Sequence, residues 1–311
     1  MKDIDFGKFN SLFDIYTAFP DEKTCIAFLE SRRWPNGVVS PFDPTSKVYR
    51  RSDGQYRCSK TEKNFNVRIG TIFENTKLPL RIWFIALFLH HNHKKGISAV
   101  QLSRDLGVSE KTAWFMLHKI RRTSHIVHNV TLEGEVEIDE TFVGGKNKYR
   151  HWNKKTKPNE DGTYPDKTPV MGMLQRGGQV ICKVIKDVSA ASLTPNILKC
   201  VKRTATLFTD GWKGYIPICK IYKSQSVNHR KKIYVIGNAH TNSIEGFWWT
   251  FCKRVIHCIY NAISRKYMQR YFDEFAFRYN TRKASNQERF EMAIAKSNIR
   301  VTYNQILENR D

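Results

Sequence analysis

The sequence predicts a multidomain protein of mixed α and β structure, and three observations carry that prediction. At 311 residues the chain is long enough for two or more domains, each with its own core. Hydrophobic residues make up 41% and aromatic residues 13%, a globular composition. The apolar pattern changes along the chain: helical spacing first, then short alternating pieces, then helices, and from about residue 131 strands interleaved with helices.

Between about residues 8 and 33, Phe9, Leu12, Phe13, Tyr16, Cys25, Phe28 and Leu29 recur at helical spacing, with a break near Pro20. Residues about 34–72 turn to Gly, Pro and Ser with alternating pieces such as YRCSKTEKNFNVRIGT, which predicts a small module of two or more hairpins. Pro79 then opens a helix through WFIALFLHHNH. In GISAVQLSRDLGVSEKTAWFMLHKIRR, residues 96–122, Val100, Leu102 and Leu106 give a first helix its apolar face. Gly107 supplies a turn, and Ser109 caps a second helix that turns Ala113, Met116, Leu117 and Ile120 inward. This is a helix-turn-helix pattern. It sets Ser109, Lys111, Thr112 and Lys119 outward, with Arg121 and Arg122 nearby, where a recognition helix meets DNA. Two packed helices of any α-domain give a similar pattern.

VEIDETFV alternates like a strand, with Val136 and Ile138 on one side and Glu137, Asp139 and Thr141 on the other. The basic stretch GGKNKYRHWNKKTKPNEDGTYPDK reads as a long loop. VMGMLQRGGQVICKVIKDVS gives two strands about a Gly177-Gly178 hairpin. A helix over residues 194–203, the strand ATLFTD, a short irregular piece over 211–218 and a last strand in KSQSVNH follow. A long helical region is expected from 242 to about 282. Three antiparallel strands, a helix, two more strands and a helix is the order of a ribonuclease-H-like domain. The expected divisions are 1–75, 76–128, 131–283 and a C-terminal tail over 284–311.

Lys and Arg number 52 against 29 Asp and Glu, a net charge of +23. A pI near 9.8 calls for an acidic partner, and nucleic acid is the usual one. No basic amphipathic helix with one clean apolar face points to a membrane surface. Seven cysteines without regular spacing do not form a disulfide framework and fit a reducing compartment. The N-terminus lacks a signal-peptide core, and the most apolar run, LPLRIWFIALFLHH, contains Arg81 and is too short to span a bilayer. The expectation is a cytoplasmic, nucleoid-associated protein.

Three carboxylates stand out in this cationic chain. Asp139 lies mid-strand, where Asp is disfavoured, although an exposed strand face shared with Glu135 and Glu137 would also explain it. Asp210 ends an apolar strand just before a glycine, a place equally suited to a turn Asp. Glu245 forms a capping box with Asn242 as N-cap. At about 100° per residue, Trp249, Cys252, Ile256 and Ile259 fall within about 40° of Glu245, which would begin a packing stripe. Lys253 lies about 80° round, within reach of a phosphate. Carboxylates on a strand, a strand end and a helix suit Mg²⁺, with Mn²⁺ able to substitute, and hence phosphodiester chemistry.

RWPNGVVSP, GTIFENTKLPLRIWF, GISAVQLSRDLGVSEKTAWFMLHKIR, EIDETFVGGK, TDGWKGY, HTNSIEGFWWTFCKR and QRYFDEFAFRYNTR follow one another over about residues 23–283. In this order they resemble the ISXO-like insertion-sequence transposases, bacterial relatives of the Merlin elements with a DDE-type catalytic domain. The resemblance implies a ribonuclease-H-like nuclease and strand transferase acting on the ends of its own element. Asp139 and Asp210 match the family's two aspartates and Glu245 its third acid. Some members use Asn in that third role, which makes Asn242 a candidate to share it. Lys253 matches the basic residue that follows, Arg254 joins the expected DNA contacts, and His229 and His240 sit in matching segments where packing or hydrogen bonding also explains them.

There are departures. Ser40-Pro41-Phe42-Asp43 and Cys58-Ser59-Lys60-Thr61 stand where family members carry the two CxxC pairs of a zinc ribbon. One remaining thiol cannot make a structural zinc site, so a degenerate, metal-less ribbon held by aromatic packing is expected. Asn261 stands where a His is usual. The resemblance implies partners in double-stranded DNA, both terminal inverted repeats and target, and pairing of two ends allows a homodimer or higher assembly. The rival readings are a domesticated, catalytically inert DNA-binding protein, and a ribonuclease or resolvase on the same fold.

Overall fold

The computed structural model describes residues 8–125, 131–144, 151–157, 167–227 and 240–308. They fall into two compact units, Met1–Ser124 with Lys283–Asp311, and His125–Arg282.

In the first unit, α1 (Leu12–Ala18) begins with a reciprocal cap between Ser11 and Asp14, and α2 (Glu22–Arg33) is capped by Asp21. Strands β1 (Val48–Arg50), β2 (Tyr56–Cys58) and β3 (Asn64–Phe65) form an antiparallel sheet in that order. Edge contacts of Trp34 with Tyr56 and of Phe42 with Phe65 hold it, and the Tyr56 hydroxyl donates to Glu30 at 3.0 Å. Helix α3 (Leu80–Asn92) follows Pro79 and buries most of its side chains. Helices α4 (Ala99–Leu106) and α5 (Glu110–Thr123) are joined at Gly107, whose φ of +64° lies in the left-handed region that favours glycine. The segment expected to be a tail instead forms α10 (Asn286–Ala295) and α11 (Tyr303–Glu308). Phe290 of α10 packs against Phe9 and Phe84 at 5.3 and 5.5 Å between ring centroids.

Ala113, Met116, Leu117 and Ile120 of α5 face the core as the helix-turn-helix pattern requires, while Ser109 and Lys111 are exposed and Thr112 and Arg122 half-buried. Lys119 and Arg121 depart from the expectation that they face DNA. Both are buried, and the Lys119 ammonium donates to the carbonyls of Ile72 at 2.9 Å and Glu74 at 3.2 Å. Because α3, α4 and α10 all pack on α5, its solvent face is narrower than a two-helix pattern suggests. Burial lowers the Lys119 ammonium to about 8, against a partly compensating pull from Glu74.

In the second unit, β4 (Glu135–Val143) is the central strand. It pairs antiparallel with β5 (Thr168–Gln175), which pairs antiparallel with β6 (Val180–Val184) around Gly177 at φ +69°. On the other side β7 (Thr206–Thr209) and β8 (Lys223–Ser226) run parallel, giving the order β6-β5-β4-β7-β8. The period-2 alternation sorts side chains onto two faces. Val136, Ile138, Met171, Met173 and Leu207 pack with Leu193 and Ile197 of α6 (Ala190–Cys200), and Ile218 of α7 (Ile216–Cys219) joins them. Val170, Leu174 and Cys182 pack with Ile244 and Phe247 of α8 (Asn242–Phe247) and with Phe272 and Phe275 of α9 (Met268–Asn280).

The long helix expected over 242–282 is broken. Helix α8 passes into π-helical turns at Trp248–Lys253 and Ile256–Tyr260 and stops at Asn261. There φ is +58° and ψ −46°, and the Ala262 amide donates to Tyr260 at 2.6 Å, a strained γ-turn. No helix among the described residues is long and apolar enough to cross a membrane.

Candidate active site

Asp139 lies in β4, and Asp210 follows the last residue of β7. The parallel ladder pairs Glu137 with Phe208, so two residues further along Asp139, still in β4, comes beside the point where the chain leaves β7 at Asp210. Gly211, at φ +74°, turns the chain away, and an Asp210 carboxylate oxygen accepts the Trp212 amide at 3.0 Å. Opposite Asp139 on β5 is Gly172. A Cβ there would lie 2.5 Å from the Trp248 ring and 2.9 Å from Ile244. The missing side chain lets the indole lie against the strand and donate to Asp139 Oδ2 at 3.0 Å.

Glu245 is placed differently from expectation. Thr241, not Asn242, is the N-cap residue of α8; Asn242 is the first helical residue and is exposed. The Thr241 hydroxyl donates to Glu245 Oε1 at 3.0 Å. Glu245 does not open the packing stripe, since it and Trp249 are both exposed. The buried row is Ile244, Trp248, Cys252 and Ile256. In π turns, bonds run from i to i+5, each residue turns through a smaller angle, and positions four apart line up. Lys253 and Arg254 are exposed. Lys253, His257 and Asn261 wall a cleft of about 450 Å³ whose other side is Thr141 to Gly144, at the end of β4. His229 lies outside the described residues.

Burial first, then the facing Asp210 and more weakly Glu245, push the Asp139 carboxyl up to about 7, against bonds from the Glu140 amide and Trp248. Asp139 therefore feels both of the other carboxylates across space. Next to Asp139, and on the opposite face of β4, Glu140 is pushed up to about 8 by burial and by Asp139 and Asp210. It accepts a hydrogen bond from the Tyr215 hydroxyl, which ties β4 to the segment after Asp210.

Glu137, two residues before Asp139 and fully buried, is satisfied by other means. It accepts Arg176 Nε at 2.8 Å and, with its second oxygen, the Ile244 amide at 3.0 Å in the first turn of α8. Arg176 also reaches Glu135 at 3.1 Å and the His240 carbonyl at 2.9 Å, and lies over the Phe208 ring. The His240 ring nitrogen is 3.3 Å from Glu137. Glu137 and Arg176 thus fix the helix that carries Glu245. Sequence reasoning missed Glu140, Gly172, Arg176 and Tyr215; only the adjacency of Glu140 to Asp139 offered a signal.

Among the described residues, no three His, Cys, Asp or Glu side chains stand close enough to hold a metal ion by themselves. The donor set of Asp139, Asp210 and Glu245 is all oxygen, and burial, with repulsion from the other two added, raises Asp139. That chemistry fits a hard divalent cation such as Mg²⁺, which binds through one or two carboxylates and completes its shell with waters and substrate phosphates.

Residues 131–280 match the model of the ISXO2-like transposase domain. Over this span the chain is similar to the ISXO2-like transposases. A similar protein, an uncharacterized protein in transposable element ISH50 of Halobacterium salinarum, is 29% identical over 240 residues, covering 73% of this chain and 81% of that one. Two solved structures are distantly similar. The Mos1 strand transfer complex is 14% identical, with a TM-score of 0.28 over 74% of this chain and 82% of that chain. A pre-cleavage Mos1 transpososome is also 14% identical, with a TM-score of 0.23 over 67% and 76%. Superposition at these scores is poor.

Proposed function

We propose that this protein is a transposase that cuts and joins DNA at the ends of its own element, with the ribonuclease-H-like second unit performing the chemistry. The observation that supports the reading is that Asp139, mid-way along β4, feels Asp210 at the end of the neighbouring β7 and, more weakly, Glu245. Mg²⁺ held by these carboxylates would supply charge neutralisation on phosphorus and activation of the attacking oxygen. In the first step a water attacks the phosphodiester and the bond to the 3′ oxygen breaks, leaving a 3′-hydroxyl. In the second, that hydroxyl attacks a target phosphodiester, the target's own bond from phosphorus to its 3′ oxygen breaks, and a new strand joint forms as the target's 3′-hydroxyl is released. Lys253 and Arg254, exposed beside the cleft, meet backbone phosphates. Asn242, exposed at the start of α8, remains a candidate to share the third role.

The helix-turn-helix formed by α4 and α5, with Ser109, Lys111, Thr112 and Arg122 at its surface, would read the terminal inverted repeats. The three-stranded sheet before it would serve as the metal-less ribbon. Pairing two ends calls for a dimer or higher assembly on DNA.

The test is strand cleavage of labelled element-end DNA with and without Mg²⁺. Asp139→Ala should lower cleavage by about 10³-fold or more while sparing end binding. Retained cleavage in that variant removes the assignment. The rival, an inert DNA-binding descendant, is favoured by the lost thiols and by Asn261 in its strained turn; it requires end binding with no metal-dependent cleavage in the unaltered protein.

A further inference from the structure

The mixed α and π turns after Thr241 create a second row beside the buried one. Glu245, Trp249, Lys253 and His257 are each four residues apart and all exposed, so they share one face. The row reads acid, indole, ammonium, imidazole, and its far end walls the cleft at the end of β4. Trp249 is 58% exposed, with the Arg254 guanidinium 5.7 Å from its ring centroid. A single exposed aromatic is ordinary on a protein surface. This one lies between a proposed metal-binding carboxylate and two cations. A second exposed aromatic, Phe142 at 37%, lines the cleft with Lys253.

We propose that Trp249 is a stacking platform for an unpaired DNA base next to the bond that is cut. The site would take one strand of DNA whose pairing is open at the cleavage position. Its backbone would follow Lys253 and Arg254 while one base lies on the indole. Charge complementarity favours nucleic acid over an apolar peptide, and a flat π face suits any base. The spacing sets the register: one four-residue step of helix rises about 6 Å or less, and successive nucleotides of a strand are about 3.4 Å apart. The stacked base is therefore within about two nucleotides of the phosphate held at Glu245. This inference rests on the DNA-processing reading and deepens it.

The experiment measures binding rather than cleavage, with the full chain in EDTA. Two duplexes of one sequence are compared, fully paired or carrying three unpaired nucleotides in one strand, with 2-aminopurine in the unpaired stretch. The unaltered protein should quench the 2-aminopurine, and Trp249→Ala should not. Trp249→Ala should lose about 5- to 150-fold affinity for the open duplex, the value of one base stack, and keep its affinity for the paired one. Trp249→Phe should retain most of both. Equal quenching by Trp249→Ala, or an equal loss on both duplexes, overturns the platform and leaves the DNA-processing reading standing. Failure of the unaltered protein to bind either duplex overturns that reading and the platform with it.

Discussion

Glu137 and Asp139 stand two residues apart on the same face of one strand, and their surroundings could hardly be more different. Glu137 has an arginine, a helix amide and an imidazole within hydrogen-bonding or ion-pairing distance. Asp139 has an indole N–H and two more carboxylates. A buried charge is tolerated when paired, and the first arrangement closes its own account. The second leaves negative charge facing negative charge. The pair teaches that burial alone does not decide how a carboxylate is held; the groups that compensate its charge do.

The largest expected effect on stability breaks the compensated half. Arg176→Met strands Glu137 and should destabilise the fold by about 3–5 kcal/mol, read by urea unfolding. Adding Glu137→Met should restore most of that loss, because two apolar groups replace a buried pair. A double variant as unstable as the single one would show that the network does more than balance charge.

The uncompensated half should respond in the opposite sense. The folded-state value of Asp139 is raised from 3.8 to about 7, so the folded protein holds this proton more tightly than the unfolded chain. Stability is therefore lost as pH rises from about 4 to about 7, and stays lost above that. Asp139→Asn should raise metal-free stability at pH 8 by about 2–4 kcal/mol, with the gain closing at pH 4. Thermal melts at both values check it, and Mg²⁺ should narrow the gap by stabilising only the unaltered protein.

Gly172→Ala tests whether the Trp248 bond to Asp139 depends on close approach. Its new methyl meets the indole, and a cost of about 1–3 kcal/mol is expected, with weakened Mn²⁺ binding by calorimetry. The smallest effect separates two lysines of α5. Lys111→Gln should weaken DNA binding and reduce its salt slope by about one unit. Lys119→Met should leave that slope unchanged, since its ammonium is spent on backbone carbonyls.

Much of this was legible in the residues. Alternation in VEIDETFV and the Gly177 turn gave the central strands, and the apolar strand ending at Asp210 lies beside β4. The sequence could not show that the helix after Thr241 would widen into π turns, because a wheel drawn at a fixed angle assumes the answer. It therefore set Glu245 and Trp249 inward when both face out. Lys119 and Arg121 were misplaced because charge implies solvent only until a third and fourth neighbour close over a helix. Arg176 carried no local sign, for its partners lie 39 and 64 residues away.

The first unit is finished by residues that come last. Phe290, on α10, completes an aromatic cluster with Phe9, Phe28 and Phe84, so a chain still emerging from the ribosome lacks the ring that closes its N-terminal core. The second unit, lying wholly between these two pieces, can mature earlier than the unit that begins the chain. A truncated product would thus keep its carboxylates while lacking a finished first unit, and quality control by proteolysis would fall first on the amino-terminal half.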